Sequence, residues 1–208
     1  FYDRLLETAY YSERNAVKDF SKPRTSEKIH LLYAGVMQPR KGLKLIIDAL
    51  GESSFRDFEL IMVGDGSERK KLEALVKKYG LENHVTFTGK LSYDEVNNYY
   101  DWADLFLFPS LRDTSGNVVL ESMSHGTPVI ALNHNGASEM ITPECGELVD
   151  IESYTQVKQT FVTLITKYYA NRDIGKQKGL LARKRVEEVY SWNRAMVFID
   201  SIYERAVQ

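Results

Sequence analysis

Five short apolar runs recur along the chain, and each is nearly continuous rather than alternating. They cover residues 29–35, 58–64, 84–89, 104–110 and 127–132. Strands that are buried on both faces of a parallel sheet have this pattern, because helices cover each face. Amphipathic segments of helical period lie between the runs. The pattern therefore predicts an α/β domain built on a doubly wound, Rossmann-like parallel sheet.

The helical segments complete this picture. In residues 67–80, Leu72, Leu75 and Val76 share one face and Lys and Glu residues occupy the other. After residue 150 the strand signals stop, and three consecutive segments have helical character: 153–170, 173–190 and 192–207. We predict about six strands in the doubly wound order 3-2-1-4-5-6, followed by extra helices from about residue 153.

The composition of the chain limits which partners, cellular compartment and enzyme classes are expected. Lys and Arg total 27 and Asp and Glu total 29, so no charge excess favours nucleic acid as a partner. Cys145 is the single cysteine, which fits a reducing, cytoplasmic compartment. No apolar run approaches the roughly 20 residues of a spanning helix. The chain has no P-loop and no GxSxG elbow, which argues against kinase and hydrolase functions.

The chain begins without an initiating Met, and its first residues do not resemble a signal peptide. We expect residues 1–28 to be a linker or tail from an N-terminal domain that is missing from this chain. Residues 29–208 are then the ligand-binding domain with its C-terminal helices. Any membrane association, peripheral and at the inner face, is expected to come through the missing domain.

The predicted strand order brings two polar loops together. The sheet reverses direction between the first and fourth strands, and ligands of open α/β sheets bind at the carboxyl ends of the strands that flank the reversal. GVMQPRKG, residues 35–42, follows the first strand, and SLRDTSGN, residues 110–117, follows the fourth. We predict that these loops face one crevice.

The second loop combines groups that suit an anion and a polyol. Ser115, Gly116 and Asn117 leave backbone N–H groups at the positive end of the following helix, which suits a phosphate. The carboxylates of Asp113 and Glu121 suit sugar hydroxyls. Together they point to a sugar nucleotide.

Each carboxylate also has a simpler interpretation. Glu121 lies in a mostly apolar helix, and a buried carboxylate requires hydrogen-bond donors. Ligand hydroxyls are one source of donors, and internal partners such as Ser124 and His125 are the alternative. Asp113 is alternatively an ordinary loop residue in an Asx-turn.

The first loop places Arg40 and Lys41 directly before a helix, where the helix dipole disfavours a cation. A bound diphosphate explains them, and two solvated charges in a turn are the alternative. GDGSE at residues 64–68 also follows a strand, so Gly64 allows close approach to a ligand. Its spacing is not GxGxxG, and the alternative is a tight turn with Ser67 as the helix N-cap.

Several motifs together resemble the C-terminal, donor-binding domain of the GT-B retaining glycosyltransferases of family 4. They lie between about residues 29 and 150 and are YAGVMQPRKGLKLIIDAL, IMVGDGSERKKLEAL, VTFTG, ADLFLFPS and the run to HGTPVIA. NHNGASEMI at residues 133–141 resembles the family's GG-type loop, with Asn135 in place of one glycine. The resemblance implies one lobe of a bacterial-type enzyme that transfers a hexose-type sugar to a glycan or lipid-linked acceptor. It implies a nucleoside diphosphate sugar as donor and no metal or other cofactor.

The resemblance also implies residue roles. Lys41 matches the lysine that binds the diphosphate, Asp113 the carboxylate that holds hydroxyls of the transferred sugar, and Glu121 the carboxylate that holds the ribose. The base is expected in the loop of Thr88, Gly89, Lys90 and Leu91. Backbone contacts to the sugar and phosphates are expected from another group: Ser115, Gly116, Asn117 and Val118. The predicted site is completed by Gly35, Arg40 and Gly64.

Two positions depart from the family pattern. Val36 stands where the family commonly has arginine, so one diphosphate cation is lost unless Arg40 replaces it. Asp113 is one methylene shorter than the usual glutamate, which draws the carboxylate back by about 1.5 Å. Two further functions stay open: a sugar-nucleotide epimerase of the same architecture, and a non-catalytic module that binds nucleotide sugars, which is suggested by Val36 and Asp113.

Overall fold

A computed structural model describes residues 26–113 and 116–206 of the chain. In this part of the chain, six strands form one sheet in the order β3-β2-β1-β4-β5-β6. The paired strands are parallel. The strands are β1 (Ile29–Ala34), β2 (Phe58–Val63), β3 (Val85–Gly89), β4 (Leu105–Phe108), β5 (Val129–Leu132) and β6 (Gly146–Val149). The predicted class, parallel sheet and strand order are confirmed.

The apolar pattern locates five of these strands but not β6. This strand is four residues long, and its two central residues are only half-buried. It pairs with β5 from Gly146 beside Val129 to Val149 beside Leu132. A short strand with one neighbour lacks the continuous apolar run that marks a strand covered on both faces.

Helices cover both faces of the sheet. In the described residues they are α1 (Leu43–Glu52), α2 (Arg69–Lys78), α3 (Tyr93–Trp102), α4 (Asn117–Ser124), α5 (Asn135–Met140), α6 (Tyr154–Ala170), α7 (Arg172–Val189) and α8 (Trp192–Ala206). One apolar core lies between the sheet and α1, α2 and α6, and a second lies between the sheet and α3, α4, α5 and α7. The bounds of α6 to α8 agree with the three predicted C-terminal helices to within one residue.

Most of the predicted linker, residues 1–28, lies outside the described residues. Across the ranges that the structure describes, helices long and apolar enough to cross a membrane are absent.

Glycines at the carboxyl ends of β1, β2 and β3 allow three loops to meet closely. The Gly35 amide donates to Val63 O over 3.0 Å, and the Gly64 amide donates to Gly89 O over 2.8 Å. A Cβ added at Gly64 would lie 2.0 Å from the carbonyl oxygen of Gly35. Gly64 also has φ +123°, which L side chains rarely adopt. This edge of the sheet therefore requires glycine at position 64 for backbone packing.

Gly64→Ala is expected to reduce the free energy of unfolding by about 3 kcal/mol, because both strain and a backbone clash oppose the added methyl group. For a domain of this size the melting temperature should fall by about 6–12 °C in a thermal scan. Gly80→Ala is the matched control, since Gly80 also has positive φ (+66°) but has nothing within 4 Å of its added Cβ. It should cost about 1 kcal/mol. Equal losses in the two variants would contradict the close approach at Gly64.

Candidate functional site

The loops after β1 and β4 lie in contact at the carboxyl edge of the sheet, where the strand order reverses. The Leu111 amide donates to Arg40 O over 2.9 Å, and the Arg40 guanidinium donates to Arg112 O over 3.0 Å. Lys41 Nζ forms an ion pair with Asp113 Oδ2. The predicted juxtaposition of the two loops is confirmed for the residues that the structure describes.

Lys41 is held in place by a short helical turn. Pro39–Lys41 form one 3₁₀ turn, which Gly42 ends with φ +66°. A Cβ at Gly42 would lie 2.1 Å from Pro109 O, so glycine is what allows this turn to reach the end of β4. The Lys41 ammonium lies 5.7 Å from the centre of the Phe108 ring, a cation–π contact.

The Lys41–Asp113 pair is largely shielded from water. The exposed fractions of the two side chains are 11% and 15%, respectively. The local dielectric is lower here than at an open surface, so this pair is stronger than an exposed one and costly to leave half-made. In the free protein the cation and the carboxylate expected to contact the ligand therefore satisfy each other.

Arg40 lies between the two loops and hydrogen-bonds to a residue of each. Its Nε donates to Gln38 Oε1 over 3.1 Å, in addition to its bond to Arg112 O. Val36, at the family's arginine position, is 49% exposed, and its carbonyl accepts a bond of 3.1 Å from the buried Tyr33 hydroxyl. One bond of Arg40 thus joins the two loops, and its exposed guanidinium has further N–H donors.

The first turn of α4 lies close to the phenylalanine ring that Lys41 contacts, since a Cβ added at Gly116 would lie 3.9 Å from Phe108 Cζ. Gly116 is the N-cap of this helix, in the left-handed conformation (φ +59°, ψ +30°), and Asn117 and Val118 form the first turn. Backbone N–H groups in the first turn of a helix lie at its positive end and suit an anion. Ser115, also predicted to contribute, lies outside the described residues.

Glu121 lies one turn further along α4 and has an internal partner. The Tyr100 hydroxyl donates to Glu121 Oε2 over 2.8 Å. Burial raises the pKa of the Glu121 carboxyl above its usual value, while the Tyr100 hydrogen bond and nearby His125 act in the opposite direction. Sequence reasoning suggested Ser124 or His125 as internal partner. Instead, Ser124 Oγ donates to the backbone carbonyl of Glu121, and His125 Nδ1 lies 2.7 Å from an Asp101 carboxylate oxygen.

The loop predicted to hold the base follows β3 at the same edge. Thr88 Oγ1 donates to Gly89 O over 3.0 Å, Lys90 is exposed, and Leu91 is half-buried against the core. A Cβ added at Gly89 would lie 3.3 Å from Arg69 Nη1, so the Arg69 guanidinium borders this loop.

The GDGSE turn has a structural explanation. A Cβ at Gly66 would lie 2.3 Å from Met37 O, so the turn packs against the loop after β1. The helix α2 begins at Arg69 with Glu68 as N-cap. The alternative that Ser67 caps this helix is therefore wrong, and the cap lies one residue later.

Three aromatic residues at the site were not identified from the sequence: Tyr33 beneath the first loop, Phe108 beneath Lys41, and Tyr100 behind Glu121. They belong to apolar strands or to the buried face of a helix, where an aromatic residue normally indicates packing alone. One signal in the sequence could have pointed to Tyr100: a buried Glu121 carboxylate requires a hydrogen-bond donor. Asn135 adopts φ +53°, consistent with its place at a glycine position of the predicted loop.

Doubly wound sheets bind their ligands at the switch point, which is where these loops lie. Residues 15–179 match the family described as glycosyl transferases group 1, and the chain belongs to this family, whose fold is of the GT-B type.

An uncharacterized glycosyltransferase of Methanocaldococcus jannaschii is 28% identical over 174 residues, which are 83% of this chain and 47% of that protein. The alpha-D-kanosaminyltransferase of Streptomyces kanamyceticus is 33% identical over 113 residues, which are 53% of this chain and 29% of that protein.

Solved structures agree with this family. Sucrose-phosphate synthase of Thermosynechococcus elongatus superposes with a TM-score of 0.75 at 26% identity, covering 86% of this chain and 46% of that one. HepE of Anabaena, in complex with UDP, shares the fold with a TM-score of 0.74 at 22% identity, covering 87% and 49%. The chain spans about half the length of the curated relatives that match most of it.

Proposed function

We propose that the chain is the donor-binding half of a retaining glycosyltransferase of family 4. This half binds a nucleoside diphosphate sugar, and the intact enzyme transfers a hexose-type sugar from it to a glycan or lipid-linked acceptor. The observation that carries the proposal is the ion pair of Lys41 with Asp113 at the switch point of the sheet, where α4 begins with Gly116 close to the Phe108 ring that Lys41 also contacts. A cation and a helix N-terminus suit a diphosphate, and a carboxylate at the same edge of the sheet suits the hydroxyl groups of a sugar.

Lys41 and the first turn of α4 are the groups that we assign to the diphosphate. Charge develops on the departing nucleoside diphosphate as the sugar becomes oxocarbenium-like. A fixed ammonium and a helix dipole stabilise that charge more than they stabilise the ground state. The proposal assigns no metal ion to this task.

The two carboxylates are assigned to hydroxyl groups of the donor. Asp113 exchanges its bond with Lys41 for bonds from the transferred sugar, and Glu121 accepts from the ribose. The base lies along Thr88 to Leu91. HepE, which has the same fold, was crystallised with UDP and with UDP and glucose, so UDP is the first nucleotide to test.

The acceptor side of the reaction is assigned to a separate N-terminal domain. The chain covers 47% of its Methanocaldococcus relative and 45% of a second relative, which supports a partner domain of similar size. We place residues 1–28 as the connection to it and the whole enzyme in the cytoplasm. We assign no general base to the residues of this chain.

Product analysis on the intact two-domain enzyme tests the reaction. Donor sugars of UDP and GDP are incubated with and without a panel of glycan and lipid-linked acceptors, and products are followed by NMR. We expect sugar transfer that requires an acceptor and keeps the anomeric configuration. An epimeric nucleotide sugar formed without acceptor would favour the epimerase instead, and nucleotide binding without turnover would favour the non-catalytic module.

A further inference from the structure

The hydroxyl group of Tyr100 joins two helices behind the site. Tyr100 is fully buried on α3, and its hydroxyl reaches Glu121 Oε2 on α4 over 2.8 Å. Thr127 Oγ1 donates to the backbone carbonyl of Tyr100 over 2.7 Å, which fixes the end of α3. The carboxylate of Glu121 is therefore tied to a rigid part of the fold.

The ring of Tyr100 is fixed on two sides. Its centre lies 5.7 Å from that of Phe106 and 5.4 Å from that of the buried His125. Rotation of the phenol away from Glu121 would disturb this packed core, because both neighbours are themselves buried. The direction of the donor hydrogen bond is thus set by packing.

Burial and the groups around Glu121 shift the pKa of its carboxyl in opposite directions. Burial raises the pKa of the Glu121 carboxyl, whereas the Tyr100 hydrogen bond and His125 lower it. His125 in turn lies 2.7 Å from the Asp101 carboxylate. Loss of the Tyr100 donor removes one of the two effects that oppose protonation.

We propose that Tyr100 is a positioning residue for ribose recognition: it holds one oxygen of Glu121 so that the carboxylate accepts hydrogen bonds from the ribose hydroxyls in a fixed direction. The inference rests on the proposed function, because it takes the nucleotide as the ligand of Glu121. It adds a residue outside the sequence motifs to the recognition of the nucleotide.

Tyr100→Phe tests this role, because it removes the hydroxyl and keeps the ring. Titration calorimetry should show UDP binding weakened about 10-fold, the loss of one hydrogen bond to a charged group. Binding of 2′-deoxy-UDP and 3′-deoxy-UDP should change less, since each lacks one ribose hydroxyl. Tyr99→Phe, one residue earlier on α3 and half-buried, is the matched control and should leave all three affinities unchanged.

The pH dependence gives a second readout that a merely structural role would not move. A carboxylate acceptor is lost as pH falls through its pKa, so UDP binding should weaken on the acid side. In Tyr100→Phe this acid limb should move to higher pH, because the anion has lost a donor.

A double variant keeps the test informative if Tyr100→Phe lowers stability. Adding Tyr100→Phe to Glu121→Ala should weaken UDP binding no further, since alanine has already removed the acceptor through which Tyr100 acts. Equal weakening of UDP and both deoxy analogues, or an unmoved acid limb, would overturn the role of Tyr100. A wild-type protein that binds neither UDP nor GDP would instead overturn the proposed function.

Discussion

Lys41→Ala is expected to weaken UDP binding by about 10- to 100-fold and to reduce turnover of the intact enzyme by about 100-fold or more. The first figure corresponds to one charge-assisted hydrogen bond in a shielded site. The second adds the stabilisation of charge on the leaving diphosphate. The ammonium lies over Phe108 and is 11% exposed at the side chain, so solvent cations replace it poorly.

Lys44→Ala is the matched control for this change. Lys44 lies three residues further along the chain, pairs with Asp48 and has a side chain that is 65% exposed. Its loss should leave UDP affinity unchanged. Equal effects of the two alanine variants would show that Lys41 acts only through general surface charge, contrary to its assignment to the diphosphate.

Asp113→Asn is expected to have opposite effects on UDP and on the complete donor reaction. In the free protein Asp113 is satisfied by Lys41. UDP alone takes that cation and leaves a shielded carboxylate without its partner beside a negative diphosphate. Removal of the carboxylate charge should therefore tighten UDP binding, by about 10-fold if the repulsion is near 1.4 kcal/mol. Turnover should fall by about 100-fold, because the sugar hydroxyls lose a charged acceptor.

The control for this variant is Asp150→Asn. Asp150 is exposed and accepts a bond of 2.7 Å from Asn133. Neither UDP affinity nor turnover should change in it. Weaker UDP binding in Asp113→Asn would contradict the exchange of Lys41 between Asp113 and the diphosphate.

Much of the fold was predictable because buried parallel strands have a distinctive pattern. The runs of β1, β2 and β4 are apolar almost throughout, since each strand has neighbours on both sides and helices on both faces. Strand order then placed residues 35–42 beside residues 110–117, far apart in sequence. β6 escaped detection because its central residues are half-buried at the edge of the sheet.

Residues of the candidate site were predictable where local chemistry distinguishes them, and not where packing alone brings them to it. Lys41 and Asp113 are charged residues in polar loops beside predicted strands. Glu121 is a carboxylate in a mostly apolar helix, where a charged residue is unusual. Nothing in the sequence around Tyr100 distinguishes it, because its contact with Glu121 depends on how α3 and α4 pack side by side. The hydrogen bond from Arg40 to Arg112 O likewise depends on loop geometry, which cannot be derived from the residue types in the loops.

Calorimetric titration of the 208-residue chain with UDP, GDP and their sugars tests the central claim most directly, when wild type and Lys41→Ala are compared. The claim is that the loops after β1 and β4 bind a nucleoside diphosphate sugar. We predict that at least one of these ligands binds with a dissociation constant below 1 mM, the weak end of specific affinities. Lys41→Ala should weaken that binding at least about 10-fold. Absence of binding at millimolar concentrations, or binding that Lys41→Ala leaves unchanged, would contradict the claim.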